Sequence, residues 1–423
     1  MSINSVVLNN GVMLITEPIA TAKTVAIGFY FSVGSRSETA ENRGITHFVE
    51  HLLFKGTKSR TSFEIAKTFD RMGGYSNAFT EKENMSVYCT VPAVAQNGVS
   101  YPLLALDVLC DMTQNCVFDE NEIEKERDVV KNEILSVEDD FEESAYEAAS
   151  GVLWQNHNLG NNISGSVEEV SSITRAQIID FYEKNIASGE LVVCVAGNFV
   201  EDDFVSRLEK LGEHKRAGKS ALLSRFSGEK PSWKSGVFSK KSDFLQKQLF
   251  VLYEAKCPSS EKEYFSQVVL NAVLGDTMSS RLFQSLREKS GLCYNVYSFI
   301  SLYEDVGVLG SYLSAEKSNV KKAYSALTAQ IENLLQNPPD DDELDFAKEH
   351  LCGEEIMGEP DMEAHLKRLY RNYAMGFPQR SADETISLIR SINANDVKEA
   401  ISAIFKNPFI FLYGSKSKLA LSC

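Results

Sequence analysis

The chain has 423 residues, 43% hydrophobic and 24% charged, with 43 basic against 59 acidic side chains and a formal net charge of −16. That length allows two substantial domains, each with its own core. The acidic balance argues against a nucleic-acid partner, which wants a basic face, and suits cationic peptides. No apolar run reaches the roughly eighteen residues of a membrane helix, so no membrane association is expected. Eight cysteines without C-x-x-C spacing predict reduced thiols in a cytoplasmic protein and argue against cysteine-bound zinc. The amino terminus, Met1 to Gly11, has no cationic flank leading into an apolar run, so neither a secretory signal nor a transit peptide is expected.

Residues 5–17 and 24–33 read as strands, separated by turn chemistry at Asn9-Asn10-Gly11 and around Pro18. Next comes Gly44-Ile45-Thr46-His47-Phe48-Val49-Glu50-His51-Leu52-Leu53-Phe54-Lys55-Gly56, whose apolar residues recur at helical spacing and predict a mostly buried helix stopping at Gly56. His47 and His51, four apart, share a face of that helix with Glu50 beside them. Two neutral imidazoles and an adjacent carboxylate are what a catalytic zinc site needs, as nitrogen ligands and as a base for the bound water. The H-x-x-E-H order is a metallopeptidase signature. Two histidines on an apolar helix can also be satisfied core residues, so the metal reading requires a third ligand.

An amphipathic helix from Ser62 to Met72 is ended by Gly73-Gly74, and Tyr75 to Thr80 and Met85 to Val91 read as strands. The first strand is poor in bulky branched residues. This suits an accessible edge that accepts an extended peptide by backbone pairing, although an ordinary hairpin explains it equally well. After a helix at 102–114, an acidic helix from Glu122 to about Val137 places Glu126 and Glu133, seven apart, on one face, with Ile123, Val130 and Ile134 on another. Either glutamate could complete the metal site while the other orients a histidine. The acidic stretch continues through Glu143 and Glu147 at helical spacing, and His157 is isolated. A helix at 174–185, a buried strand at 191–198 and a helix at 201–211 follow.

Residues 212–234 turn to Gly, Ser, Lys and Arg and read as a linker between domains 1–211 and 235–423. The second domain repeats the first: a strand at 248–255, a helix at 263–274, Gly275, and a helix from Ser279 closing at Gly291 match residues 24–74. With Gly275 registered on Gly56, Ser266, Val269 and Leu270 stand where His47, Glu50 and His51 stand, so the second copy carries no metal site.

With these features the chain resembles the pitrilysin/insulysin family of inverted-motif zinc metallopeptidases, and most of all the short members typified by the catalytic subunit of mitochondrial processing peptidase and its bacterial relatives. Besides the histidine motif, Gly73-Gly74-x-x-Asn77-Ala78-x-Thr80, Ile123-Glu124-Lys125-Glu126-Arg127-Asp128-Val129-Val130-x-x-Glu133, Gly197-Asn198, and Ser279-Ser280-Arg281-Leu282-Phe283 with Leu286-Arg287-Glu288-Lys289-x-Gly291-Leu292-x-Tyr294 look like family blocks. The resemblance covers nearly the whole chain. It implies an α+β fold of two homologous α/β sandwich domains, one chain forming half of a clamshell. It also implies one Zn2+ per chain held by His47, His51 and Glu133, with Glu126 behind a ligand histidine and Glu50 as general base.

By the same resemblance, Arg287 and Tyr294 reach the substrate carbonyl and the developing oxyanion; on sequence alone they would pass as a salt-bridging Arg and a core Tyr. Asn77 and Ala78 belong to the substrate-binding edge, and Glu143 and Glu147 fall where the processing peptidase binds a basic residue. The implied activity is a zinc metalloendopeptidase acting on extended, unfolded peptides. A closed chamber takes four such domains, so a homodimer, or a heterodimer with an inactive relative, is implied. The alternatives are a noncatalytic scaffold subunit, against which the intact His47, Glu50, His51 and Glu133 argue, and a small-substrate hydrolase, which the repeat disfavours. Two departures stand out: extra residues between Val91 and Leu109 lengthen the spacing from His51 to Glu133, and no glycine-rich loop precedes Met278.

Overall fold

Runs of Val, Ile and Phe build two mixed sheets in the computed structural model, which describes residues 3–96, 98–215 and 230–414. The first sheet has six strands in the spatial order Asn4–Val7, Met13–Pro18, Leu191–Gly197, Thr24–Phe31, Met85–Pro92, Tyr75–Thr80. Leu191–Gly197 and Thr24–Phe31 lie at its centre and are buried along nearly their whole length, as their continuous apolar sequences require of strands covered on both faces. Tyr75–Thr80 pairs with Met85–Pro92 alone and so forms an edge. After Val91 the chain forms a small hairpin, Ala95–Gln96 with Val99–Ser100, leading into the helix Tyr101–Gln114.

The second sheet has five strands in the order Gly236–Lys240, Phe409–Tyr413, Lys247–Ala255, Gly307–Ala315, Asn295–Leu302. Strand for strand, this is the order of the last five strands of the first sheet. The single parallel pairing also recurs in the same place, Met13–Pro18 with Leu191–Gly197 and Gly236–Lys240 with Phe409–Tyr413. The repeat seen in the sequence is thus a repeat of topology.

Contacts divide the described chain into two units, neither contiguous in sequence. The first takes residues up to Ser136, the run that begins at Asn161, and Met357–Ser381; the second takes Val137–Gly160, the run from residue 230 to Ile356, and the run that begins at Ala382. A linear division into 1–211 and 235–423 differs from this in two helices, because amphipathic periodicity identifies an apolar face without naming the sheet it covers. Residues 216–229 of the expected linker lie outside the described residues. In the first unit, Met362, Leu366, Leu369 and Tyr370 of the helix Met362–Ala374 pack on Ile15, Ala26, Tyr30, Val192 and Cys194. Tyr370 stacks on Tyr30 with ring centroids 4.0 Å apart. In the second, Ala145, Ala149 and Leu153 of the helix Phe141–Leu153 pack on Phe250, Leu252, Phe409 and Phe411. No helix among the described residues is long and apolar enough to cross a membrane.

A buried polar cluster fixes Met362–Ala374 to its sheet. Arg368 Nη2 donates to both oxygens of Glu17, at 2.9 and 2.8 Å, and His365 Nδ1 lies 2.8 Å from Glu17 Oε2. Burial pushes the Glu17 carboxyl up, but the His365 hydrogen bond and the Arg368 charge together outweigh it and hold the group below its ordinary 4.5. Unfolded Glu17 therefore takes its proton at a higher pH than folded Glu17 does. Its ionised form stabilises the fold above pH 4.5, and that contribution is lost as pH falls through the lower folded value. Glu17→Gln leaves Arg368 buried without its counter-charge, at a cost of about 3 kcal/mol near neutral pH. Melting curves recorded from pH 7 downward are expected to converge for wild type and variant below pH 4.5. Curves that stay parallel throughout would remove Glu17 as an acid-sensitive anchor.

Candidate metal centre

The motif helix starts where only a glycine fits. Gly44 has φ +83°, and a Cβ there would stand 2.6 Å from the Ser164 carbonyl oxygen. In place of a local side-chain cap, buried Glu38 accepts the N–H groups of Gly44 and Thr46 at 2.8 and 2.9 Å. Burial lifts the Glu38 carboxyl to about 7, against the pull of those two donors. The helix runs Ile45–Leu52, shorter than its apolar pattern predicts: residues 53–55 continue as a turn into Gly56, whose φ is +126°. Ile45, Phe48, Val49 and Leu52 enter the core, which leaves His47 and His51 together on the other face, each half-buried.

The acidic helix, Glu120–Asp139, buries Ile123, Val130 and Ile134 in the same core. Arg127 anchors it, donating to the carbonyls of Val170 and Ile173 and lying 5.1 Å above the Phe48 ring. Glu126 and Glu133, two turns apart, thereby both meet the motif helix. Glu133 Oε2 lies 3.2 Å from His51 Nε2 and 3.7 Å from His47 Nε2, and the ligand atoms of the three residues fall within 4.8 Å of one another. No other metal-holding group of this kind occurs among the described residues.

Glu126, 6% exposed, takes a different role. Its Oε2 is 3.1 Å from His51 Nδ1, and its Oε1 accepts from Lys55 Nζ at 2.8 Å. A carboxylate on Nδ1 fixes the ring so that Nε2 faces Glu133. The two glutamates that spacing could not separate are thus told apart by what each touches.

Burial, and next the neighbouring His51, push His47 down to about 4, so its imidazole is neutral and free to donate a lone pair at pH 7. Its Nδ1 is buried without a hydrogen-bond partner. A neutral ring 3.7 Å from a carboxylate is too far for a hydrogen bond and gains nothing from charge. A cation between His47 Nε2, His51 Nε2 and Glu133 Oε2 would take up the two lone pairs and the carboxylate charge that face one another, and two imidazoles with one carboxylate match the ligand set of catalytic zinc with an open fourth position. The residues fit that ion.

Glu50 is 8% exposed beside the trio and accepts the Thr80 hydroxyl on Oε2 at 2.7 Å. Burial raises its carboxyl above the ordinary value, against the Thr80 hydrogen bond and His51. Asn77 and Ala78 lie on the edge strand, where Asn77 Oδ1 accepts the Ala78 N–H at 2.9 Å. Tyr75, at the start of that strand, donates to Glu363 at 2.5 Å.

The remaining predicted residues belong to the second unit. Arg287 lies 5.7 Å from the ring centre of Tyr294, which is 72% exposed and so not the core residue that the sequence alone suggests. Glu143 and Glu147 sit on the helix Phe141–Leu153, separated from the acidic helix by Asp140, which caps it. Ser266, Val269 and Leu270 are buried on the helix Glu261–Asn271. Neither Lys55 nor Thr80 has a role that sequence reasoning found. Lys55 follows His51 by four residues, a usable signal; Thr80 meets Glu50 only through the fold.

Residues 13–167 match the family Insulinase (Peptidase family M16), and residues 172–351 match Peptidase M16 inactive domain. A Bacillus subtilis protein named as an uncharacterized zinc protease is 33% identical over 401 residues, 95% of each chain. Another so named, from Rickettsia felis, is 32% identical over 402 residues, 95% of this chain and 94% of that one. Among solved structures, a peptidase M16 inactive domain from Pseudomonas fluorescens shares the fold at a TM-score of 0.87 and 17% identity, covering 99% of this chain and 98% of that one. A protease from Helicobacter pylori shares it at 0.84 and 19%, covering 98% and 99%.

Proposed function

The chain belongs to the insulinase family, peptidase family M16, and we propose that it is a zinc metalloendopeptidase cleaving extended peptides. The observation that carries this reading is the trio His47, His51 and Glu133 with a buried carboxylate, Glu50, beside it. A scaffold has no use for that carboxylate, and the inactive-domain match, residues 172–351, begins beyond all four residues.

Bound zinc would supply Lewis acidity and a water acidic enough to lose a proton near neutral pH. Glu50 receives that proton and returns it to the leaving amine nitrogen. Its raised affinity for a proton suits both halves of the task. Glu126 keeps His51 in the orientation that presents Nε2. The edge strand Tyr75–Thr80 pairs with the peptide backbone, which selects unfolded segments. Arg287 and Tyr294 act as donors to the carbonyl oxygen as it gains charge, and Glu143 and Glu147 favour a basic residue near the cut. Two chains enclose the substrate, either identical or one an inactive relative.

The test is a mixed peptide library incubated with the purified, zinc-loaded chain and read by mass spectrometry. Cuts are expected that a chelator abolishes and zinc restores, with basic residues enriched beside them. A folded, zinc-containing chain that makes no cuts refutes a self-sufficient peptidase.

A further inference from the structure

The loop between the strand Thr24–Phe31 and the motif helix is pinned to the turn that follows the edge strand. Ser35 N donates to the Glu81 carbonyl at 3.2 Å and Arg36 N to the Lys82 carbonyl at 2.8 Å, while the Arg36 guanidinium pairs with Glu83 at 2.6 Å. Within the turn, Glu81 N donates to the Asn84 carbonyl at 2.7 Å. Gly34 lies so close that a Cβ there would stand 2.4 Å from the Glu81 oxygen. Thr80, the last residue of the strand, is therefore held from the side of residues 81–84, and its hydroxyl reaches Glu50 Oε2.

We propose that Thr80 is a positioning residue for Glu50, held in place by the contact of Gly34 to Arg36 on the turn at 81–84. This rests on the peptidase reading. A glutamate's terminal torsion is broad and lets the carboxylate swing. One short hydrogen bond to Oε2 stops the swing and leaves Oε1 as the oxygen that takes the proton. Geometry of this kind sets the rate, because a base displaced by an ångström loses much of its effect. Binding of peptide along the strand uses the backbone and does not need the hydroxyl.

The variants are Thr80→Val, which keeps the shape and removes the donor, Thr80→Ser, which restores it, and Gly34→Ala, which pushes the turn away. With the zinc-loaded full chain and a peptide substrate, Thr80→Val is expected to lower kcat by between about ten- and a hundredfold with KM and zinc stoichiometry little changed. Thr80→Ser recovers most of the loss, and Gly34→Ala reproduces part of it. Crystal structures provide a readout independent of turnover: Glu50 occupies one rotamer in wild type and Thr80→Ser and several in Thr80→Val. Wild-type kcat in Thr80→Val, or equal loss in Thr80→Ser, overturns the proposal. Should wild type itself cut no peptide, the peptidase reading fails separately, and the Glu50 rotamers still decide whether Thr80 orders it.

Discussion

Glu50→Gln is expected to remove peptide hydrolysis while leaving zinc content and Tm near wild type. The amide has the shape of the acid, and its oxygen can accept the Thr80 hydroxyl as the carboxylate does. It cannot take a proton. General-base catalysis contributes roughly a hundred- to ten-thousandfold, so kcat should fall at least into that range. Folding should tolerate the change, because burial already disfavours the charged form of Glu50 and the neutral amide avoids that penalty. Metal analysis and a melting curve accompany the rate measurement. An active Glu50→Gln variant would remove Glu50 as the base.

The two glutamates of the acidic helix should separate in a second experiment. Glu133→Ala strips the carboxylate that faces both Nε2 atoms. Zinc stoichiometry is expected to collapse, and turnover with it. Glu126→Gln leaves three ligands in place but weakens the hold on His51 Nδ1 and on Lys55. Loss of such an outer partner typically lowers metal affinity by about ten- to a hundredfold, so this variant should bind zinc more weakly yet still be saturable. Competition with a chelator of known affinity measures both. The opposite order, with Glu126→Gln empty and Glu133→Ala loaded, would exchange the two roles.

How far the sequence speaks depends on whether the signal is local. The helix Ser62–Met72 appears with the bounds its pattern predicts, because Thr61 and Glu64 form a capping box at one end and Gly73, at φ +66°, stops it at the other. The histidine pair is equally local, since four residues of helix place both rings on one face. The choice between Glu126 and Glu133 is not local. Both lie on the same face, and what separates them is the distance of each to a helix some eighty residues earlier. Leu53 and Phe54 prolong the apolar pattern of the motif helix, but the chain leaves the helix there for the turn that reaches Gly56. The pairing of Thr80 with Glu50 depends on the register of an edge strand against a loop, which no periodicity records. Tyr294 reads as a core residue because tyrosine usually is one, yet it stands in solvent beside Arg287.

The helix Met362–Ala374 also bears on how the protein is made. The sheet behind the trio draws all six of its strands from residues 4–197, synthesised early. The outward apolar face of that sheet, with Ile15, Tyr30 and Val192, is covered by side chains as late as Tyr370 in a chain of 423. Until the ribosome has delivered that helix, the face is bare and Glu17 lacks both of its partners. A nascent chain is thus exposed to chaperones and to its neighbours through most of its translation. A fragment that ends at residue 211 lacks that helix and leaves the face uncovered, so it is expected to express as a less soluble protein than the full chain.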